Sequence, residues 1–254
     1  MKRRDVLVGG GVLAASLGGA TWLGARQMGS MGAYAEAVAA TRSALLADPG
    51  LRDVVRYATL AVSGHNTQPW RFRLGEGRID ILPEMALRTP VVDPDDHHLF
   101  VSLGCAAENL ALAAAALGLS GEVSFDPVDD GSVAFRFGKG PSRASTLFDA
   151  IPVRQSTRAD YDGRPVSAAD LRTLAAAAAV PGVDLVLITD QPRRDGVRDL
   201  VMAGNSAQMA DPAFMRELKS WIRFSPRQAI ETGDGLFSAS SGTRPASLAW
   251  AGPA

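Results

Sequence analysis

Two short stretches of this chain hold residue types that could grip a charged or planar guest. The first is Ser63-Gly64-His65-Asn66-Thr67-Gln68-Pro69-Trp70, a crowd of small and amide residues between an apolar helical run and an alternating strand. Such a loop can present hydroxyl and amide groups together with open backbone N–H groups, the mixture of donors and acceptors that the edge of a heteroaromatic ring requires. The same residues also read as a helix-capping loop, with Ser63 or Asn66 satisfying local backbone and Trp70 in the core. The second stretch is Arg154-Gln155-Ser156-Thr157-Arg158. Two guanidinium groups flanking a hydroxyl offer planar paired donors and permanent charge, which suits a phosphate dianion. A solvated turn with surface arginines is the plainer alternative.

The remaining polar clusters carry less. His97-His98 beside Asp93, Asp95 and Asp96 could suggest a metal, but adjacent helical histidines diverge by about 100° and rarely share an ion, so a solvated helix start is the reading and no metal is expected. His65 reads as a loop histidine bonded to backbone, and Asp160 as an orienting partner for Arg158. Cys105 is the only cysteine and reads as a small apolar residue without an activating neighbour. There is no Ser-His-Asp ordering, no P-loop and no G-x-G-x-x-G outside the N-terminal glycine run. No catalytic residue is assigned.

Several elements must position these residues. Helices are expected over Tyr34–Leu46, Leu51–Ala61, Ser145–Ile151, Ser167–Ala179 (Ser167 as N-cap, Asp170 at N3), Pro192–Gln208 and Pro212–Phe224. A long apolar helix over His98–Leu117 should lie in the middle of the domain. Hairpins are expected across Gly75-Glu76-Gly77 and Asp129-Asp130-Gly131, and a strand over Val183–Thr189. The Gly/Ser/Thr/Pro-rich tail, 226–254, reads as flexible loop. The class is α+β, with helices around a mixed, mostly antiparallel sheet.

Composition narrows the function. The chain has 254 residues, 46% hydrophobic and 21% charged, with a formal net charge of -1. That suits a globular domain with a sizeable core and gives no basic field for nucleic acid. The opening Met1-Lys2-Arg3-Arg4-Asp5 precedes an uncharged apolar run, 6–25, diluted by six glycines. This layout resembles a twin-arginine export signal over 1–28, read by the twin-arginine translocase and delivering the protein to the periplasm or cell envelope; an uncleaved membrane anchor over 6–25 is the rival. That route carries folded proteins, often with a cofactor already loaded.

Ser63-x-x-Asn66-x-Gln68-Pro69-Trp70 resembles the signature loop of the nitroreductases, which lies against the flavin, and Arg154-x-Ser156-x-Arg158 resembles their phosphate-binding element. The resemblance spans about 30–254. It implies a nitroreductase-like domain over 29–254 with FMN as cofactor and NAD(P)H as electron donor. The acceptor would be a small molecule of nitroaromatic or quinone type. Ser63, Gly64, Asn66 and Gln68 would address the ring or ribityl chain, and Arg154, Ser156 and Arg158 the phosphate. Here the arginine element follows the loop by about 90 residues, whereas in the common small nitroreductases it precedes it. With the export signal, this order resembles the Acg-like branch, in which one long chain imitates a nitroreductase dimer. Measured against that branch the chain reads as C-terminally shortened: a truncated product, a shortened variant, or a subunit that completes its site by association, a homodimer being one such arrangement. The alternatives are a flavin-binding protein that sequesters the cofactor without turnover and a fragment that binds nothing.

Overall fold

The computed structural model describes residues 28–46, 49–156 and 160–241; the proposed signal or anchor, Arg158 and the last part of the tail lie outside the described residues. The chain divides into two compact units, Met1–Thr157 with Leu218–Ala254, and Arg158–Glu217.

In the first unit, α1 (Met31–Thr41) is capped by Ser30, whose hydroxyl accepts from the Ala33 N–H. α2 (Leu51–Thr59) buries Val54, Tyr57 and Ala58, one helical face. β1 (Trp70–Gly75) and β2 (Arg78–Pro83) form the first expected hairpin, turning at Gly77 with φ 62°. After α3 (His97–Ala116), β3 (Leu119–Asp126) and β4 (Ser132–Lys139) form the second. The sheet order is β1-β2-β4-β3, and all three pairings are antiparallel. The α+β class and the antiparallel sheet expected from the sequence are present.

The core lies between one sheet face and the helices. Ile79, Ile81, Val133 and Phe135 meet Leu99, Leu103, Ala106, Leu110 and Ala113 of α3, with Val54 and Tyr57 of α2 beside them. The α3 residues recur every three or four positions, so they form one stripe. Alanines on that stripe let backbones approach closely, and each fully buried leucine contributes about 1.5–3 kcal/mol. α3 is therefore less enclosed than its composition implies: Val101, Gly104 and Glu108 stay exposed. Short α4 (Thr146–Ala150) is capped by Ser145 and stacks Phe148 on Tyr57 at 5.2 Å.

The tail departs from expectation. Within 226–241 only 233–235 is loop: α8 (Pro226–Thr232) is capped by Ser225, and β6 (Leu236–Phe237) pairs in parallel with β5 (Ile222–Arg223). Buried Arg223 fixes this corner, donating to Asp234 at 2.6 Å and to the Thr232 hydroxyl at 3.0 Å. The Phe237 ring lies 4.5 Å from that of Tyr34 on α1.

The second unit holds α5 (Ala168–Ala177), α6 (Gln191–Ala210) and most of α7 (Pro212–Trp221), which crosses the boundary. Ser167 caps α5 as expected, accepting from the Asp170 N–H and donating to its carboxylate. Asp190 caps α6. The expected strand over Val183–Thr189 does not form. Its β-branched residues have strand propensity, but a strand needs a ladder partner, and no described strand pairs with it.

Candidate functional site

The loop after α2 folds on itself. Ser63 accepts twice: its carbonyl from the Asn66 N–H at 3.0 Å, and its hydroxyl oxygen from the Gln68 N–H at 3.1 Å. The Thr67 N–H donates to the Gly64 carbonyl at 2.9 Å, and Thr67 is buried. Closing so tight a turn drives three non-glycine residues to positive φ: His65 at 46°, Asn66 at 54° and Gln68 at 51°. Each costs roughly 1–2 kcal/mol, least for asparagine. Such clustered strain persists only where surrounding contacts hold it.

Those contacts come from the segment between α8 and β6. The Asn66 side-chain amide donates to the Gly235 carbonyl at 3.1 Å, and the Gly235 N–H donates back to the Asn66 carbonyl at 2.9 Å. The Gln68 side-chain amide donates to the Gly233 carbonyl at 2.6 Å. Gly233 and Gly235 have φ 67° and 76°, which lets the segment turn its carbonyls toward the loop. Asn66 and Gln68, expected to face a guest, each use an amide donor to hold a segment more than 160 residues away. What the loop keeps for a guest is the Ser63 hydroxyl proton, the amide oxygens and the second amide N–H groups of Asn66 and Gln68, and exposed Gly64.

The arginine element reaches the loop at one point. Arg154 donates from its guanidinium to the Leu60 carbonyl at 2.9 Å, across 94 positions of sequence. Arg42 fixes the same stretch by donating to the Pro152 and Arg154 carbonyls at 2.9 and 2.6 Å. Partial burial and then the like charge of Arg42 press the Arg154 pKa below its ordinary value, but arginine remains a cation. Burial pushes the Cys105 thiol up, opposed by the Arg154 charge, so Cys105 has no thiolate character. Ser156 is exposed. With Arg158 outside the described residues, one of the two proposed guanidinium groups is placed.

The wall beside the loop holds a feature that residue types alone do not announce. Asp93 is buried and takes over the capping of α3, accepting from the His98 N–H and the Leu99 N–H, each at 3.0 Å. Nominal N-cap Asp96 instead sits at φ 58° and pairs with Arg88 at 3.0 Å. Asp93 also contacts Nδ1 of His98 at 2.9 Å. Burial raises the Asp93 carboxyl, but the bonds from His98 and Leu99 outweigh it and leave its pKa below the ordinary value. A shallow open cleft with room for about one water lies here, with Gly64, Thr67, Asp93, His98 and Ser102 among its walls. The signal in the sequence was an aspartate five positions before a histidine at a helix start.

An FMN-sized guest fits these residues in part. One cation and several acceptors stand at the loop, while one donor of each side-chain amide is already engaged and the cleft alone is smaller than a flavin.

No family model matches the chain. Two proteins of Mycobacterium tuberculosis, from different strains, are each named "Putative NAD(P)H nitroreductase". Each is 33% identical to this chain over 179 residues, covering 67% of this chain and 50% of the relative. An uncharacterised protein of the same species is 28% identical over 189 residues, 71% of this chain and 26% of its own length. The chain thus spans about half the length of the first two relatives. Their similarity supports the nitroreductase family.

Proposed function

We propose that this chain is an NAD(P)H-dependent oxidoreductase of the nitroreductase kind, of the Acg-like branch, using FMN to reduce nitroaromatic or quinone-type acceptors. The names of its relatives support the donor and the reaction class. One observation carries the cofactor assignment: Arg154 bonds the residue three positions before Ser63, so a permanent cation and the amide loop, distant in sequence, are neighbours. Arg154, with Ser156 and Arg158, would hold the phosphate. Ser63, Gly64, Asn66 and Gln68 would face the ring or ribityl chain, the amides through their oxygens and their second N–H groups. The flavin would supply the redox chemistry; the chain's part is placement and electrostatics.

The second reading, a protein that holds flavin without turnover, is favoured by the engagement of Asn66 and Gln68 with Gly233 and Gly235, which closes one approach to the loop. Export through the twin-arginine route, or anchoring by residues 6–25, and completion of the site by a second copy belong to the same proposal.

Fluorescence titration of the chain lacking its first 28 residues with FMN tests both readings. Arg154→Ala with Arg158→Ala should weaken FMN at least tenfold, since each hydrogen bond to a charged group contributes about 1.5–3 kcal/mol. Unchanged affinity removes the arginines from the phosphate role. Bleaching of bound flavin by NADPH without oxygen supports turnover; bound flavin that stays oxidised supports sequestration.

A further inference from the structure

β3 is an open edge of the four-stranded sheet, and all of it from Ser120 to Asp126 is exposed. Edge strands present a row of unpaired N–H and C=O groups, and natural proteins blunt them with prolines, bulges or lysines. β3 carries no proline or lysine, and its register with β4 runs unbroken from Leu119 to Asp126. On the core side of the sheet Val123 is 45% and Phe125 57% exposed, and Phe100 props the Phe125 ring edge-on at 5.8 Å. Alternation puts Ser120, Glu122, Ser124 and Asp126 on the other side.

The order of residues along this edge is self-complementary. Where two copies of β3 pair antiparallel about a twofold axis, facing residues lie on the same side of the sheet, so the axis passes through a residue. Through Glu122 it would set two glutamates face to face, and through Ser124 it would set Glu122 against Asp126; like charges so opposed are destabilising. Through Val123 it sets the two Val123 side chains together, Gly121 opposite Phe125, Glu122 opposite the Ser124 hydroxyl and Asp126 opposite the Ser120 hydroxyl. Each carboxylate then faces a donor. The Phe125 ring covers a position where no side chain fits, since a Cβ at Gly121 would meet the Arg136 carbonyl and the Phe135 ring. Glu122 keeps Arg136 opposite it on β4. The other edge supplies the contrast: on β1 an axis through Arg71, Phe72 or Arg73 opposes arginines in every case.

We propose that β3 pairs antiparallel with β3 of a second copy of this chain, about an axis through Val123, to make one eight-stranded sheet across a dimer. This gives the second copy of the proposed function a place, and in that it rests on that reading; the pairing itself needs no flavin. A strand edge of seven residues is a contact at the low end of specific interfaces, so the dimer is reversible and depends on concentration.

The test uses the full chain in sedimentation velocity, which should show monomer passing to dimer as concentration rises. Val123→Lys and Val123→Glu each set like charges on the axis and should weaken the dimer about tenfold or more. Both should fold, since Val123 is exposed, and circular dichroism checks this. Their equimolar mixture sets opposite charges on the axis and should associate more tightly than either variant alone, a gain that a contact elsewhere would not produce. Hydrogen exchange in the parent needs no substitution: peptides covering 119–126 should exchange more slowly as the dimer forms, while those covering 70–75 stay unchanged. A parent that stays monomeric, single variants that dimerise like the parent, a mixture no tighter than its components, or a dimer with unchanged exchange over 119–126 overturns the proposal. A dimer that binds no FMN overturns the cofactor reading alone, and a monomeric parent that binds FMN overturns the pairing alone.

Discussion

Asn66 and Gln68 offer the sharpest test of the site as built, because their side chains hold a distant segment rather than open solvent. Asn66→Ala removes the bond to the Gly235 carbonyl, about 1 kcal/mol, and places alanine at φ 54°, costing roughly 1 kcal/mol more. The sum is about 2 kcal/mol, or near thirtyfold in the local opening equilibrium. Asn66→Gly loses the same bond but accepts the positive φ freely, so the two terms offset and opening should change little. Gln68→Ala loses only its bond to Gly233, about 1 kcal/mol and roughly fivefold. Amide hydrogen exchange followed by mass spectrometry on peptides covering 222–241 reads these differences directly, since local opening needs no global two-state transition. The ordering expected is Asn66→Ala fastest, then Gln68→Ala, with Asn66→Gly near the parent. Parent-like exchange in Asn66→Ala, or Asn66→Gly exchanging as fast as Asn66→Ala, would refute the latch and the strain argument with it.

Two further outcomes follow from the same geometry. The Asp93 carboxyl is held below its unfolded value, about 3.9, so it contributes stability above that value and loses it as pH falls through the lower, folded value. Stability measured by urea unfolding between about pH 2 and pH 6 should therefore fall more steeply in the parent than in Asp93→Asn; parallel profiles would deny the bonds from His98 and Leu99. At Gly121 on β3 a Cβ would run into the Arg136 carbonyl and lie 2.9 Å from the Phe135 ring, so Gly121→Ala should lose about 3 kcal/mol, the upper end of overpacking costs, in thermal unfolding. A melting temperature equal to the parent's would mean that the β3–β4 register differs.

What could be read in advance was what neighbours in sequence decide. Ser145 and Ser167 announce helix starts because a cap acts over three residues, and both accept at that spacing. The hairpins announce themselves through Gly77 and Gly131, which alone make their turns cheap. What could not be read depends on a partner. Val183–Thr189 has the composition of a strand, but composition supplies only propensity, and pairing decides. Leu236–Phe237 has almost no strand signal, yet it pairs in parallel with Ile222–Arg223 because Arg223 and Asp234 tie the ends of the intervening α8 together.

The same division runs through the site. The polar character of the Ser63–Trp70 loop was visible as composition, and Arg154 as charge. In the sequence the donors of Asn66 and Gln68 point to a guest because nothing within a few residues can claim them; the claimants, Gly233 and Gly235, lie in a stretch that reads as featureless loop. The capping role of Asp93 is hidden in the sequence for a related reason. At a helix start an aspartate is expected to cap at the third residue, and Asp93 reaches the fifth and sixth because Asp96 takes a left-handed turn that lifts the chain toward it. That detour also brings the His98 ring to Asp93. A residue dismissed as part of a solvated helix start thus acquires a fixed direction from the backbone's path, which residue type alone does not encode.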